Sequence, residues 1–254
     1  MKFLKSVLRI LLVLMTLIVV IGCCCVNSLM FHPQRPSYGP HSPGYVDIGT
    51  NGTHVAAIVL GPQHGKKAIL RCHGNAEDAN NTLWALRELA KEGYTIASVD
   101  YPGYGLSDGS PNETGCYQTV HQLYNWLIEK RGFRPEEIII NGFSIGTGPA
   151  VELAATHPAA KLILEAPFLS APRVVTQVQV LPINPFPNLK HIHHVKYPIV
   201  ILHGTDDSVI PFNHGHKLFE RAPGSKRFVK VEGADHNDLV STFGIDTYLD
   251  FFRK

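Results

Sequence analysis

The feature that most limits the folds open to this chain is a repeated switch between two periodicities. Mostly apolar, β-type runs occur at His54–Leu60, Lys67–Cys72, Thr95–Asp100, Ile138–Phe143, Lys161–Glu165, Ile199–His203 and Lys226–Val231. Several of them, such as Ile138-Ile139-Ile140 and Ile199-Val200-Ile201-Leu202, are continuous rather than alternating. A strand of that kind is covered on both faces, as the central strands of a parallel sheet are. Between these runs lie segments with helical spacing, at Asn81–Glu92, Thr114–Arg131, Ile145–His157, His214–Glu220 and Asp238–Phe252. Leu83, Leu86, Leu89 and Ala90 fall on one helical face. Gly93 and Gly132 stand where the first two helices are predicted to stop. Strands and helices alternating at this interval form βαβ units. The predicted fold class is therefore α/β, with a mostly parallel central sheet and helices on both of its faces.

One stretch interrupts the alternation. Phe168–Tyr197 carries Pro172, Pro182, Pro185 and Pro187, with Pro198 next to it, and cannot hold a long regular element. It lies between two strands, so a short Pro-rich cap over the sheet edge is expected at about 168–197. A chain of 254 residues fits one large domain, and 44% hydrophobic with 17% charged residues is an ordinary globular balance. The formal net charge of +2 and the lack of a long basic run argue against a nucleic-acid partner. The five cysteines show no CxxC pair and no Cys/His zinc spacing, so neither a disulfide framework nor a zinc site is predicted. Cys72 reads as a small buried residue on a strand. His191, His193 and His194 lack a helical i, i+4 pair with a carboxylate and read as part of a solvated loop.

The N-terminus is a different kind of segment. Ile10–Val26 is uncharged and rich in Leu, Val and Ile. As a helix it spans roughly 25 Å, and extension to Phe31 brings it to the ~30 Å of a bilayer core. Lys2, Lys5 and Arg9 precede it, and no Lys or Arg follows before Arg35. That asymmetry puts the N-terminus in the cytoplasm and the domain on the far side of a membrane. Three readings stay open: an uncleaved signal anchor, a cleaved secretory signal, or a lipoprotein signal. In the last, Val20-Ile21-Gly22-Cys23 is similar to a bacterial lipobox, whereas Cys23–Cys25 in a eukaryotic cell reads as a palmitoylation site. The predicted organisation is an anchor or signal over 1–31, a linker over 32–44 rich in Pro, Ser, Gly and His, and a catalytic domain over 45–254. The sequons at Asn51, Asn80 and Asn112 matter only along a eukaryotic secretory route.

The chemistry is concentrated at strand ends. The run Ile138–Phe143 leads into Gly142-Phe143-Ser144-Ile145-Gly146 and then a small-residue helix, a GxSxG motif in strand–turn–helix context. Flanking glycines permit a turn sharp enough to project the serine oxygen from the sheet, beside a helix N-terminus that favours negative charge. A serine hydroxyl needs a base, and the base needs an orienting acid. After the run Ile199–His203 comes His203-Gly204-Thr205-Asp206-Asp207, which offers two neighbouring acids. After Lys226–Val231 comes Glu232-Gly233-Ala234-Asp235-His236, which offers the histidine. Both loops fall at the sheet end that carries the serine, where open α/β sheets bind ligands. Lys67–Cys72 leads into His73-Gly74-Asn75-Ala76, a turn able to aim a backbone N–H at an oxyanion. Asn75 and Ile145 are the predicted backbone donors.

These motifs, together with Asp100-Tyr101-Pro102-Gly103-Tyr104-Gly105-Leu106-Ser107, resemble the α/β-hydrolase family from about Val46 to the C-terminus. The HGNA turn, the membrane-proximal N-terminus and the short cap resemble the branch of α/β-hydrolase-domain-containing proteins, which includes acyl-protein thioesterases and membrane-anchored esterases. The resemblance implies an α/β-hydrolase fold and a cofactor-free serine hydrolase, with Ser144, His236 and Asp207 as its triad and an acyl ester or thioester as substrate. The family places its acid four residues after the histidine of the HGxxD turn, which selects Asp207 over Asp206. A peptidase of the same fold and a non-catalytic binding module are the alternative readings.

Overall fold

The computed structural model describes residue 9, residues 27–176 and residues 183–254. The apolar run Ile10–Val26, the Cys23–Cys25 cluster and residues 177–182 of the cap lie outside the described residues. Among the described residues no helix is long and apolar enough to cross a membrane.

Eight strands form one sheet: β1 (Tyr45–Asp47), β2 (Ala56–Leu60), β3 (Ala68–Cys72), β4 (Thr95–Val99), β5 (Ile138–Phe143), β6 (Lys161–Glu165), β7 (Ile199–Gly204) and β8 (Lys226–Val231). Their spatial order is β1-β2-β4-β3-β5-β6-β7-β8. The pairings from β4 through β3 to β8 are parallel, while β1–β2 and β2–β4 are antiparallel. The sheet is thus mostly parallel with an antiparallel edge.

The continuous apolar runs are explained by their two faces. Ile138 and Ile140 point into one core layer and Ile139 into the other; Leu162 and Leu164 oppose Ile163, and Ile199 and Ile201 oppose Val200 and Leu202. Successive strand side chains face opposite ways, so a strand covered on both sides takes apolar residues at consecutive positions. Helices α2 (Glu113–Glu129) and α3 (Thr147–Thr156) cover the first face with Val120, Leu123, Leu127, Val151 and Leu153. The second is covered by Leu83, Leu86 and Leu89 and, from the C-terminal helix, by Tyr248, Leu249 and Phe252.

Two segments predicted as single helices are each divided. Residues 81–92 form a 3₁₀ turn, Asn81–Leu83, and a short helix α1, Arg87–Lys91. Leu83, Leu86 and Leu89 are buried at three-residue intervals. The backbone matches that spacing with i→i+3 bonds from Leu86 N to Leu83 O and from Leu89 N to Leu86 O, both 3.0 Å. The C-terminal segment divides into α7 (Leu239–Phe243) and α8 (Ile245–Arg253) at Gly244, whose φ of +89° lies in the region that glycine alone adopts readily. Strand β2 begins at Ala56, two residues later than His54, and edge strand β1 was not predicted at all.

The cap contains α4 (Ala171–Thr176), α5 (Asn188–His191) and a 3₁₀ turn at Ile192–His194. Helix α6 (Asn213–Arg221) follows β7. The stretch read as a linker lies against the domain, and so does the end of the segment read as an anchor. Phe31, to which the apolar span was extended, is buried in the domain core edge-on to Tyr104 and Phe186, with ring centroids 6.4 and 6.0 Å away. Further on, the Ser37 hydroxyl donates to Asp78, and the Tyr38 hydroxyl donates to Asp100.

Candidate active site

Ser144 is the first residue beyond β5 and has φ +53°, a left-handed conformation rare outside glycine. Strain of this kind is held only where the surroundings enforce it. Here the enforcement is a near backbone collision: a Cβ on Gly146 would sit 2.3 Å from Cys72 O and 2.5 Å from His73 O. The serine turn is therefore pressed against the end of β3. That contact brings the serine turn, which includes Ile145, next to the start of the His73-Gly74-Asn75 turn.

Asp207 follows β7 and His236 follows β8, both at the sheet end where Ser144 stands. His236 Nε2 lies 2.9 Å from Ser144 Oγ, and His236 Nδ1 lies 2.9 Å from Asp207 Oδ2. All three side chains are buried, and the His236 ring packs beside Phe143 with centroids 5.1 Å apart. The structure thus brings Ser144, His236 and Asp207 into one hydrogen-bonded line. Asp206 points away: it is exposed and accepts from the Thr205 hydroxyl at 2.9 Å.

The acid is fixed from several sides. Asp207 Oδ1 accepts the N–H groups of Val209 at 3.0 Å and Ile210 at 2.7 Å. Its Oδ2 faces His236 and, at 3.3 Å, His203 Nε2. Burial pushes its pKa up, but the hydrogen bonds from His203 and His236, the His236 charge and the Ile210 N–H outweigh it. The carboxyl group is held well below the usual carboxylate range. Next to it, Asp235 Oδ1 accepts from the Ser208 N–H and hydroxyl and from the His236 N–H, which locks the acid loop to the histidine loop.

The His73-Gly74-Asn75 turn is built with equal care. Asn75 Nδ2 donates to Met30 O, and its Oδ1 accepts from the His32 N–H and the Tyr104 hydroxyl. The segment ahead of β1 thereby helps hold this turn. His73 is fully buried, stacked on Tyr101 at 4.0 Å, and burial drives its pKa down to about 4. It is a neutral packing group. The cap is tied to the serine turn through Asn188, whose Nδ2 donates to Thr147 Oγ1 at 3.2 Å while Thr147 Oγ1 donates to Ser144 O at 2.7 Å.

A buried polar network behind the serine was not foreseen from sequence. Arg71 Nη1 donates to Glu165 Oε1 at 2.6 Å and to Asn141 Oδ1 at 2.7 Å, and Asn141 Nδ2 and the Tyr248 hydroxyl donate to the same Glu165 oxygen. Arg71 Nε also reaches Thr82 Oγ1, which donates to Glu77 Oε2, the acceptor of the Gly74 N–H. The chain of bonds runs from the C-terminal helix to the turn at the end of β3. The sequence signal was a charged residue at or next to the carboxyl end of each of two mostly apolar strands, Arg71 in β3 and Glu165 in β6. Removing one partner of a buried ion pair strands the other charge and costs about 3–5 kcal/mol. Glu165→Leu is accordingly expected to lower the unfolding free energy by about 3 kcal/mol in urea denaturation.

Comparison with known proteins agrees with this architecture. A sequence model of the family described as "Serine aminopeptidase, S33" matches residues 63–191. The human "Alpha/beta hydrolase domain-containing protein 17B" is 38% identical over 194 residues, 75% of this chain and 67% of that protein. The "Alpha/beta hydrolase domain-containing protein 17C" of Xenopus tropicalis is 38% identical over 174 residues, 67% of this chain and 56% of that protein. Among solved structures, Est1E from Butyrivibrio proteoclasticus superposes with a TM-score of 0.66 at 15% identity, over 82% of this chain and all of that one. An alpha-beta serine hydrolase homologue from Coxiella burnetii gives 0.64 at 19% identity, over 85% and 97%. These last two likenesses concern the fold. By sequence and by fold together, the chain is a hydrolase of the α/β-hydrolase family.

Proposed function

We propose that this hydrolase is a serine esterase or thioesterase working through an acyl-enzyme. The observation that carries the reading is His236, with one ring nitrogen 2.9 Å from Ser144 Oγ and the other 2.9 Å from Asp207. In this reading Ser144 attacks the acyl carbonyl and His236 takes its proton. Asp207 holds the imidazole in the required tautomer and stabilises its charged form. The N–H groups of Asn75 and Ile145 receive the oxyanion. His236 then protonates the leaving alcohol or thiol, and water repeats the cycle on the acyl-enzyme. No step calls for a metal or an organic cofactor.

The family description names aminopeptidases, which makes amide cleavage the second reading. Charge favours the first. An aminopeptidase must accept a protonated amino terminus, yet residues 166–198, which include the cap, contain no Asp or Glu and carry Arg173, Lys190 and Lys196. The test is a fluorophosphonate probe combined with a panel of p-nitrophenyl esters from acetate to palmitate, acyl thioesters and aminoacyl anilides. Probe labelling with ester or thioester turnover is expected. Turnover of anilides alone selects the peptidase, and no labelling removes the catalytic reading.

Membrane attachment through the N-terminal segment ahead of buried Phe31 belongs to the same proposal, motivated by the uncharged run Ile10–Val26. Deleting residues 1–27 is expected to move the protein from the membrane to the soluble fraction with ester turnover retained. Deleting residues 1–44 also removes buried Phe31 and Tyr38, and is expected to lower the melting temperature by well over about 5 °C. Both outcomes are read by fractionation and thermal unfolding.

A further inference from the structure

The absence of acidic residues from 166–198 acquires a location in the structure. A cavity of about 410 Å³ opens in the cap, and its walls include Ser170, Arg173, Asn184, Leu189, Lys190 and Arg221. Three of these are cationic and none is acidic. Among the described residues, arginine ion pairs are made by Arg71, Arg134 and Arg253, whereas Arg173, Lys190 and Arg221 have no carboxylate partner.

Unmet hydrogen-bonding capacity lies just behind the cavity walls. Ser170 is 1% exposed, and its Oγ has no hydrogen-bond partner. Arg173 Nε and Asn184 Oδ1 are likewise buried and unpartnered. Buried polar atoms are rarely left so, because each forfeits its bonds to water without replacement. A guanidinium Nε, a serine hydroxyl and an amide that can turn its NH₂ inward are all able to donate. Three monovalent cations with no counter-charge match a dianion, and a guanidinium fork matches its oxygens in pairs.

We propose that the cap cavity binds a phosphate group, presented by a phosphomonoester in solution or by the headgroup of a phospholipid. Arg173 and Arg221 grip the oxygens through their terminal guanidinium nitrogens, and Lys190 adds charge at the mouth. Pro187 and Leu189, which also line the cavity, flank Asn188, whose side chain bonds Thr147 beside the serine turn. A phosphate held here therefore sits against a wall joined to the nucleophile turn. The inference rests on charge and burial in the cap and does not depend on the esterase reading.

Calorimetric titration of the full-length protein in detergent micelles tests it, with inorganic phosphate, glycerol 3-phosphate and dihexanoylphosphatidic acid as ligands. Saturable binding with a Kd at or below about 1 mM is expected for at least one of them. Arg173→Gln and Arg221→Gln should each weaken it by about tenfold. Arg221 is exposed, so its variant reads binding even if Arg173→Gln disturbs the cap, and circular dichroism checks both. Ser144→Ala should bind as the parent does, which separates this site from the proposed chemistry. Binding of the two soluble phosphates identifies a solution ligand, and binding of the phosphatidic acid alone identifies a headgroup. Binding of none of the three, or binding that both arginine variants leave unchanged, overturns the proposal.

Discussion

Ser144→Ala is expected to lower kcat on an acyl ester by on the order of 10⁶ and to abolish labelling by a fluorophosphonate. The size follows from the geometry of a unit. Ser144 Oγ is the atom facing His236 Nε2, and among the described residues no other hydroxyl bonds to that nitrogen. His236→Ala should be nearly as severe, because the hydroxyl is a weak nucleophile without its base. The double variant should be little worse than either single one, since residues acting together are not additive. Steady-state kinetics on one p-nitrophenyl ester measures all three. A Ser144→Ala enzyme that keeps its labelling would remove the serine from the mechanism, and additive losses would dissolve the unit. The fold should survive, because Ser144 offers little buried apolar surface and its turn is held by Gly146 against the end of β3.

The second large effect separates two adjacent carboxylates. Asp207→Asn is expected to reduce kcat by roughly 10⁴ with the melting temperature nearly unchanged. The bond pattern gives the reason. Oδ1 of Asp207 is occupied by the Val209 and Ile210 N–H groups, and an amide oxygen keeps those bonds. The amide NH₂ is then left facing His236 Nδ1, where the acceptor Oδ2 had been. A donor there imposes the tautomer whose Nε2 carries the hydrogen and cannot take the serine proton. Asp206→Asn removes only a surface bond with the Thr205 hydroxyl, so its kcat should stay within about tenfold of the parent. Equal kinetics for the two variants would take the acid role from Asp207, and the reverse ranking would hand it to Asp206.

Much of this site is legible in the sequence because its signals are local. A strand, a serine between glycines and a small-residue helix fall within twenty residues, and their consequence, the turn at Ser144, is a matter of short-range sterics. The apolar runs were equally legible. A residue buried on both faces of a sheet leaves its mark at its own position, as Ile138, Ile139 and Ile140 do. Even the two divided helices had local marks, in the three-residue spacing of Leu83, Leu86 and Leu89 and in Gly244 in mid-segment. Those marks were outweighed by the general helical pattern.

Other features could only be decided in three dimensions. Strand β1 is three residues long and owes its existence to pairing with β2. Arg71 and Glu165 are 94 positions apart, and nothing near either one in sequence announces the other. Phe31 enters the core because Tyr104 and Phe186 come together to receive it. The sequence ranked Asp207 over Asp206 only through a family resemblance, whereas in the folded chain Asp207 faces His236 and Asp206 faces Thr205. Sequence alone determined seven of the eight strands, the serine turn and the candidate residues for the chemistry, since propensity, periodicity and turn sterics act between neighbours. Tertiary structure alone decided which distant groups share a low-dielectric interior, because burial and ion pairing depend on what the closed chain brings within hydrogen-bonding distance.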